Sequence, residues 1–202
     1  MTLPSSDIAF TPTVKAIQAA RGSRDAYANM ESHGGFRTAI TDDLATFLQG
    51  IDTAYLATAN AAGQPYAQHR GGPKGFIHVL GPATIGWAEF AGNRQYISTG
   101  NLSENDKAFL FLMDYAQRRR IKLWGRARMS SDAALIGELM PTGYRARGEQ
   151  ALLFDIAAWD INCPQHIPQK IDASDVAAAL ALRDARIAQL EAEMAGLTSR
   201  GS

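Results

Sequence analysis

The feature that most limits the fold is a succession of short apolar runs, cut by tight turns, between residues 53 and 161. The run Thr53–Ala59 is followed by Asn60-Ala61-Ala62-Gly63, a turn sequence. Residues 66–70 lead into Gly71-Gly72-Pro73, and the runs 76–80 and 83–87 flank Gly81-Pro82. Residues 109–113 are continuously apolar, the pattern of a strand covered on both faces. From 121 to 128 the chain alternates, with Ile121, Leu123, Gly125 and Ala127 on one side and Lys122, Trp124, Arg126 and Arg128 on the other. Residues 152–161 form the last predicted strand. Strands this short and closely spaced predict an α+β chain that is mainly β, an antiparallel barrel with helices at its ends.

Helices are predicted outside and between these strands. Thr11 caps the first and Pro12 suits its first position; Val14, Ile17 and Ala20 share a face, and Gly22 ends it. A polar stretch runs on to Gly34-Gly35. A second helix starts at Thr41-Asp42-Asp43, with acids where the helix dipole favours them and an apolar stripe of Leu44, Phe47, Leu48 and Ile51. A short helix over 131–140 stops at Pro141. The tail differs in kind. From Ser174 it is rich in Ala, Leu and Arg, and Val176, Leu180, Arg183, Ile187, Leu190, Met194 and Leu197 follow a four-three spacing. That is a heptad seam with one polar member, Arg183. It serves either packing on the chain's own barrel or pairing with the same helix of a second copy. The expected organisation is a domain over residues 1–170 and a C-terminal helix over 171–202.

Charge and composition narrow the function. Basic and acidic residues number 20 each, without the basic excess of a dedicated nucleic-acid binder. No apolar run approaches the roughly 20 residues of a membrane span, and the first ten residues lack the features of a signal peptide. A soluble, cytoplasmic protein is the expectation, with no nucleic-acid or membrane partner. The single cysteine, Cys163, excludes an internal disulfide and a multi-cysteine metal cluster. Cys163-Pro164-Gln165-His166 has C-x-x-H spacing but no second pair of ligands, so no metal is expected. A stiff linker explains the same residues better than a Cys–His nucleophile. GxxxxGK[ST], GxGxxG and G-x-S-x-G are all absent.

Three polar concentrations remain. Arg118, Arg119, Arg120, Lys122, Arg126 and Arg128 fall in eleven positions without an acid; they make either a solvated basic strand edge or an anion site. The stretch 92–101 combines amides, hydroxyls, a guanidinium and two glycines, which is either a phosphate cradle or an ordinary connection. Gln68-His69-Arg70-Gly71-Gly72-Pro73-Lys74-Gly75 follows a strand directly. Its glycines either let a flat ligand lie on bare backbone or make a bulge at a barrel rim. Trp87 and Trp124 are candidates for stacking on such a ligand, or are simply core.

In order along the chain, these motifs resemble the pyridoxamine 5'-phosphate oxidase-like flavoproteins. The likeness spans residues 40–165 and rests on 58–70 with its Asn60–Tyr66 turn, then Gly92-Asn93-Arg94-Gln95-Tyr96, Asn101-Leu102, Asn105 and the stretch 118–127. Phe10-Thr11-Pro12, Gly22-Ser23-Arg24 and residues 162–168 look like the larger FMN-binding relatives of that oxidase. The resemblance implies a split antiparallel β-barrel with peripheral helices, and a homodimer with FMN at the subunit interface. It implies a flavin lying along Gln68, His69, Arg70 and Gly71, with Trp87 on the strand that passes the cofactor. The phosphate would meet Asn93, Arg94, Gln95, Ser98 and Asn101. Arg120 would reach the isoalloxazine ring and stabilise an anionic reduced flavin, with Lys122 on the same face.

Two departures matter. Gln68 stands where the oxidase has an arginine, and the oxidase's C-terminal segment is not recognisable. FMN binding therefore carries over better than oxidation of pyridoxamine phosphate. The implied activity is that of an FMN-dependent oxidoreductase acting on a small molecule. The alternatives are a non-catalytic flavin-binding or stress-response protein, a haem- or deazaflavin-binding member of the fold, and an empty scaffold. The sequence identifies no catalytic acid or base.

Overall fold

The computed structural model describes residues 3–162 and 164–200. Cys163, and with it the Cys163–His166 pairing, lies outside the described residues. Among the described residues a 3-10 turn (Ser5–Ile8) and three α-helices precede the sheet: α1 (Pro12–Ala20), α2 (Arg24–Ser32) and α3 (Asp42–Gly50). Thr11 and Thr41 cap α1 and α3 as predicted, each hydroxyl accepting from the backbone N–H three residues on at 3.3 Å. α2 is an addition to the sequence reading, which has only a polar stretch there. Its side chains are all at least partly exposed, so no strong apolar stripe marks it. Its Arg24 is held by Gln18 at 2.7 Å and by Glu31.

Seven strands form one antiparallel sheet: β1 (Thr53–Ala59), β2 (Pro65–Gly71), β3 (His78–Val79), β4 (Thr84–Phe90), β5 (Lys107–Asp114), β6 (Arg119–Ser130) and β7 (Gly148–Asn162). Their spatial order is β2-β1-β5-β6-β7-β4-β3. α4 (Ile97–Glu104) joins β4 to β5, and α5 (Ala133–Leu139) lies over the outer side of β4 and β7. The sheet's inner face holds the core. Leu56, Ile85, Trp87, Leu110, Leu112, Ile121, Leu123, Leu152 and Phe154 pack there with the apolar stripe of α3. Burying such side chains stabilises the fold by about 1.5–3 kcal/mol each. Sheet and core together make the split antiparallel barrel with peripheral helices that the sequence predicts.

The long strands β6 and β7 turn the sheet through a bulge at Trp124/Gly125. There a Cβ on Gly125 would sit 2.2 Å from the Asp155 carbonyl oxygen, so the two backbones approach as only glycine allows. Two expectations are corrected. β5 is not covered on both faces: Phe109 and Phe111, on its outer side, are only partly buried. β6 is not an edge, since it lies between β5 and β7, so protection of an exposed edge does not explain its arginines.

α6 (Ala173–Arg200) stands apart, with every side chain from residue 173 to 195 exposed. The reading in which this helix packs on its own barrel is thereby set aside. No helix among the described residues is long and apolar enough to cross a membrane.

Candidate functional site

Curling the sheet brings β2, at one edge, opposite β4, near the other. Residues of the sheet's inner face alternate along β2, so Gln68 and Arg70 look towards Trp87 and Glu89 of β4. Arg70 Nε donates to Glu89 Oε1 at 2.6 Å, and Trp87 Nε1 donates to the same oxygen at 2.7 Å. Arg70 and Glu89 side chains are only 11% and 16% exposed. This ion pair spans the split of the barrel, because β2 and β4 are not hydrogen-bonded neighbours.

A polar groove opens beside it. One cavity, of about 270 Å³, is lined by Gln68, Arg70, Glu89, Asn93, Arg94 and Ser98 among others. A second, of about 160 Å³, continues along β2 past His69 and Gly71 to Phe76 and Trp87. The two share Gln68, Arg70, Glu89 and Phe90.

The wider end of the groove is the start of α4. Asn93 Oδ1 accepts from the Gln95 backbone N–H at 3.2 Å, which folds the loop back on itself. Arg94 and Tyr96 both adopt left-handed backbone angles, with φ of 57° and 51°, a conformation costly for non-glycine residues and concentrated at functional sites. No side chain caps α4, and its first turn closes with Gly100 N–H to Tyr96 carbonyl at 2.8 Å. The N–H groups of Ile97, Ser98 and Thr99 precede that bond and have no acceptor within the helix. The stretch 92–101 is therefore a loop and a helix start, where the sequence reading has a connection.

The predicted residues separate into three groups. Gln68, Arg70, Trp87, Asn93, Arg94 and Ser98 line the groove, and Ser98 Oγ donates to Gln68 Oε1 at 3.1 Å. His69 and Gly71 border it, while the His69 ring lies on the other face of β2 against Tyr55. Gln95 sits in the same loop, its side chain accepting from Asn93 Nδ2 at 3.2 Å. Asn101 is buried, and its Nδ2 donates to Thr58 Oγ1 at 3.0 Å, which ties α4 to β1. Arg120 and Lys122 lie on the outer face of β6, with the opposite parity to the core residues Ile121 and Leu123. A single sheet separates them from the groove.

The aromatic and glycine readings change too. Trp87 is 1% exposed and meets Phe76 edge-on at 6.5 Å, so it is a wall of the groove and not a stacking platform. Trp124 stacks instead on Phe36 at 5.2 Å on the outer side. A Cβ at Gly71 would lie 2.8 Å from the His69 ring, and one at Gly72 2.7 Å from Phe76 Cβ. The chain's own side chains fill these spaces, so close packing is what the two glycines serve.

The consecutive arginines divide their work. Arg118, at φ 54°, donates to the Ile167 carbonyl at 3.1 Å; Arg119 pairs with Asp43 and lies over Phe47. Lys122 pairs with Asp160 at 3.3 Å. Arg120 lies over Phe111 at 5.5 Å, and its Nε is buried with no hydrogen-bond partner among the described residues. A buried donor left so is costly.

Beside it, Tyr55 faces the His69 ring at 5.6 Å. Burial and a hydrogen bond with Tyr115 push the Tyr55 phenol above the usual tyrosine range. Its neutral form is favoured on folding, so the associated stability persists below pH ~10 and falls as pH rises through the raised value. Absorbance at 295 nm should show a tyrosine ionising late, and Tyr115→Phe should bring that transition earlier; an unchanged titration would exclude the coupling.

Sequence reasoning did not single out Glu89, Phe90, Glu149 or Gln150, which also line the groove. Glu89 carried one signal: it lies two residues past Trp87 and so on the same strand face. Glu149, whose Oε1 is 3.9 Å from Arg94 Nε, carried none, because only the β4–β7 pairing brings it there. Among the described residues no group of three or more His, Cys, Asp or Glu is placed to hold a metal ion.

An open antiparallel sheet, rolled until its two ends face each other across a polar groove, defines a split β-barrel protein. The sequence matches the pyridoxamine 5'-phosphate oxidase family over residues 40–163, more than half the chain, and the protein belongs to that family. No curated protein sequence matches significantly. Among solved structures, HupZ of Group A Streptococcus is 15% identical, with a TM-score of 0.51 over 65% of this chain and 99% of that one. An FMN-binding protein of Syntrophomonas wolfei is 13% identical, with a TM-score of 0.46 over 72% and 97%. General stress protein 26 of Bacillus anthracis is 14% identical, with a TM-score of 0.45 over 57% and 88%. At these identities the HupZ likeness speaks for the fold alone.

Proposed function

We propose that the protein binds FMN in the groove between β2 and β4 and serves as a flavin-dependent oxidoreductase for a small molecule. The observation that carries this reading is the uncapped start of α4. Its open backbone N–H groups, Asn93, Ser98 and the Arg94 guanidinium gather at one cavity, and that donor set suits a phosphate dianion. Gln68 supplies an amide where a charge would otherwise stand. The narrower cavity along His69, Arg70 and Gly71 suits the ring system. FMN would supply hydride and electron transfer; the chain supplies binding, orientation and control of water. Arg70, held by Glu89, keeps a fixed guanidinium beside the ring position.

Arg120 fits this reading through a second copy. It sits across the sheet from the groove of its own chain, so its guanidinium would approach a flavin only if the outer face of one copy covers the groove of another. A homodimer with shared sites reconciles the two groups of residues.

An absorbance spectrum of the purified protein, taken before and after FMN is added and the excess removed, tests the proposal. Retained flavin bands support it. A Soret band points to haem, and a colourless protein in both samples overturns it. One consequence runs against intuition. Glu149 puts a negative charge beside Arg94, so Glu149→Gln should tighten FMN binding, by up to about fivefold for an exposed pair worth at most ~1 kcal/mol. Weaker binding in a titration would show that Glu149 orients Arg94 instead of competing for it.

A further inference from the structure

α6 is 28 residues long, about 42 Å at 1.5 Å per residue, and it lies outside the barrel's core. Val176, Leu180, Ile187 and Leu190, the apolar seam predicted from the spacing, are 41–46% exposed. A helix whose seam from Val176 to Leu190 is exposed has little to hold it in water, and a seam of period 3.5 is built to meet another like it.

The charges beside the seam select the partner. With Leu180 and Ile187 at a, and Val176, Arg183 and Leu190 at d, Arg186 takes a g position and Asp184 and Glu191 take e positions. In a parallel pair of identical helices, each Arg186 faces Glu191 of the partner subunit, and each Arg183 lies beside the partner's Asp184. The fully overlapped antiparallel pair opposes Arg186 to its own copy and Asp184 to its own copy, which is repulsive at both places.

The base of the helix is fixed to the body. Gln169 Nε2 donates to the Ala116 carbonyl at 3.0 Å, Lys170 N–H donates to the Tyr115 carbonyl at 3.3 Å, and Lys74 pairs with Asp172 at 2.5 Å. Arg118 holds the preceding segment through the Ile167 carbonyl. A parallel pair therefore brings together the two turns between β5 and β6.

We infer that α6 is a parallel homodimeric coiled coil that joins two copies of this chain. The inference stands on the helix alone and does not depend on the cofactor. Its test is site-directed cross-linking of the full-length protein with Cys163→Ser as background. Ile187→Cys, at an a position, should form an interchain disulfide under mild oxidation, while Ala185→Cys, on the outer face of the same helix, should not. Both changes lie on the exposed helix, so each variant should keep the thermal transition of the barrel.

Absence of the 187 cross-link, or equal cross-linking at both positions, overturns the pairing. Faster cross-linking in a mixture of Ile187→Cys with Arg183→Cys than of Ile187→Cys with itself overturns the parallel orientation. The disulfide forms whether or not flavin is bound, so failure here leaves the cofactor reading untouched and success does not presuppose it.

Discussion

Arg70→Met is expected to lower the free energy of unfolding by about 3 kcal/mol, the lower end of the range for removing one partner of a buried ion pair. Two facts set the size. Arg70 and Glu89 are largely shielded, at 11% and 16% side-chain exposure, and after the change Glu89 Oε1 keeps only the Trp87 indole as a donor. The pair also spans the split between two strands that share no hydrogen bonds, so its loss should loosen the groove as well as the fold. The double variant Arg70→Met/Glu89→Leu should recover part of the stability, because the apolar pair leaves no uncompensated charge although the buried Trp87 indole N–H loses its acceptor. Urea denaturation of the two single variants and the double gives the coupling directly. A loss below 1 kcal/mol in Arg70→Met would mean that water entering by the groove already solvates Glu89.

Arg94→Ala is expected to weaken FMN binding roughly tenfold to a hundredfold, for a charge-assisted hydrogen bond worth about 1.5–3 kcal/mol. Stability should hardly change, because the Arg94 side chain is 65% exposed and its ionic contact with Glu149 is long at 3.9 Å. Arg94→Lys should restore part of the affinity, since the charge returns without the forked donors. Riboflavin, which lacks the phosphate, separates this account from a general disturbance of the loop: its affinity should be the same for wild type and Arg94→Ala. Quenching of flavin fluorescence reads both ligands. If FMN affinity is unchanged, the phosphate lies elsewhere, with the outer-face arginines as the next candidates. If riboflavin weakens equally, the left-handed loop at Arg94 has collapsed and the guanidinium is not the cause.

The proposed flavin site sets Arg70 apart from the outer-face cations, because Arg70 lies in the groove and the others do not. Arg120 lies over Phe111 on the outer face, and its Nε has no hydrogen-bond partner among the described residues. The paired Lys122 and Arg119 are already satisfied.

The sequence by itself determined the local elements and the kind of sheet. Alternation placed Ile121, Leu123 and Ala127 on the buried side of β6, because side-chain parity along a strand is a covalent consequence of the pleat. Thr11 and Thr41 marked two helix starts, because a hydroxyl three residues before an open N–H is a local event. The order of short motifs was enough to resemble the family that the match over residues 40–163 shows. Helices that lacked a local signal stayed hidden: α2 has no apolar stripe, and α4 begins at an uncapped Tyr96 with a left-handed backbone.

Tertiary structure alone decided which polar residues share a site. Gln68 and Arg70 meet Glu89 and Ser98 because the sheet curls, and curl depends on the β6–β7 bulge and on core packing, which no window of sequence contains. The same pleat that made β6 legible divided the predicted site: parity sends Arg120 and Lys122 to the outer face, while Gln68 and Arg70 look inward. The heptad seam of α6 was plain from spacing, since helical period is local. Its exposure came only from the fold, because whether a helix packs on its own barrel depends on where the barrel's other surfaces are already covered.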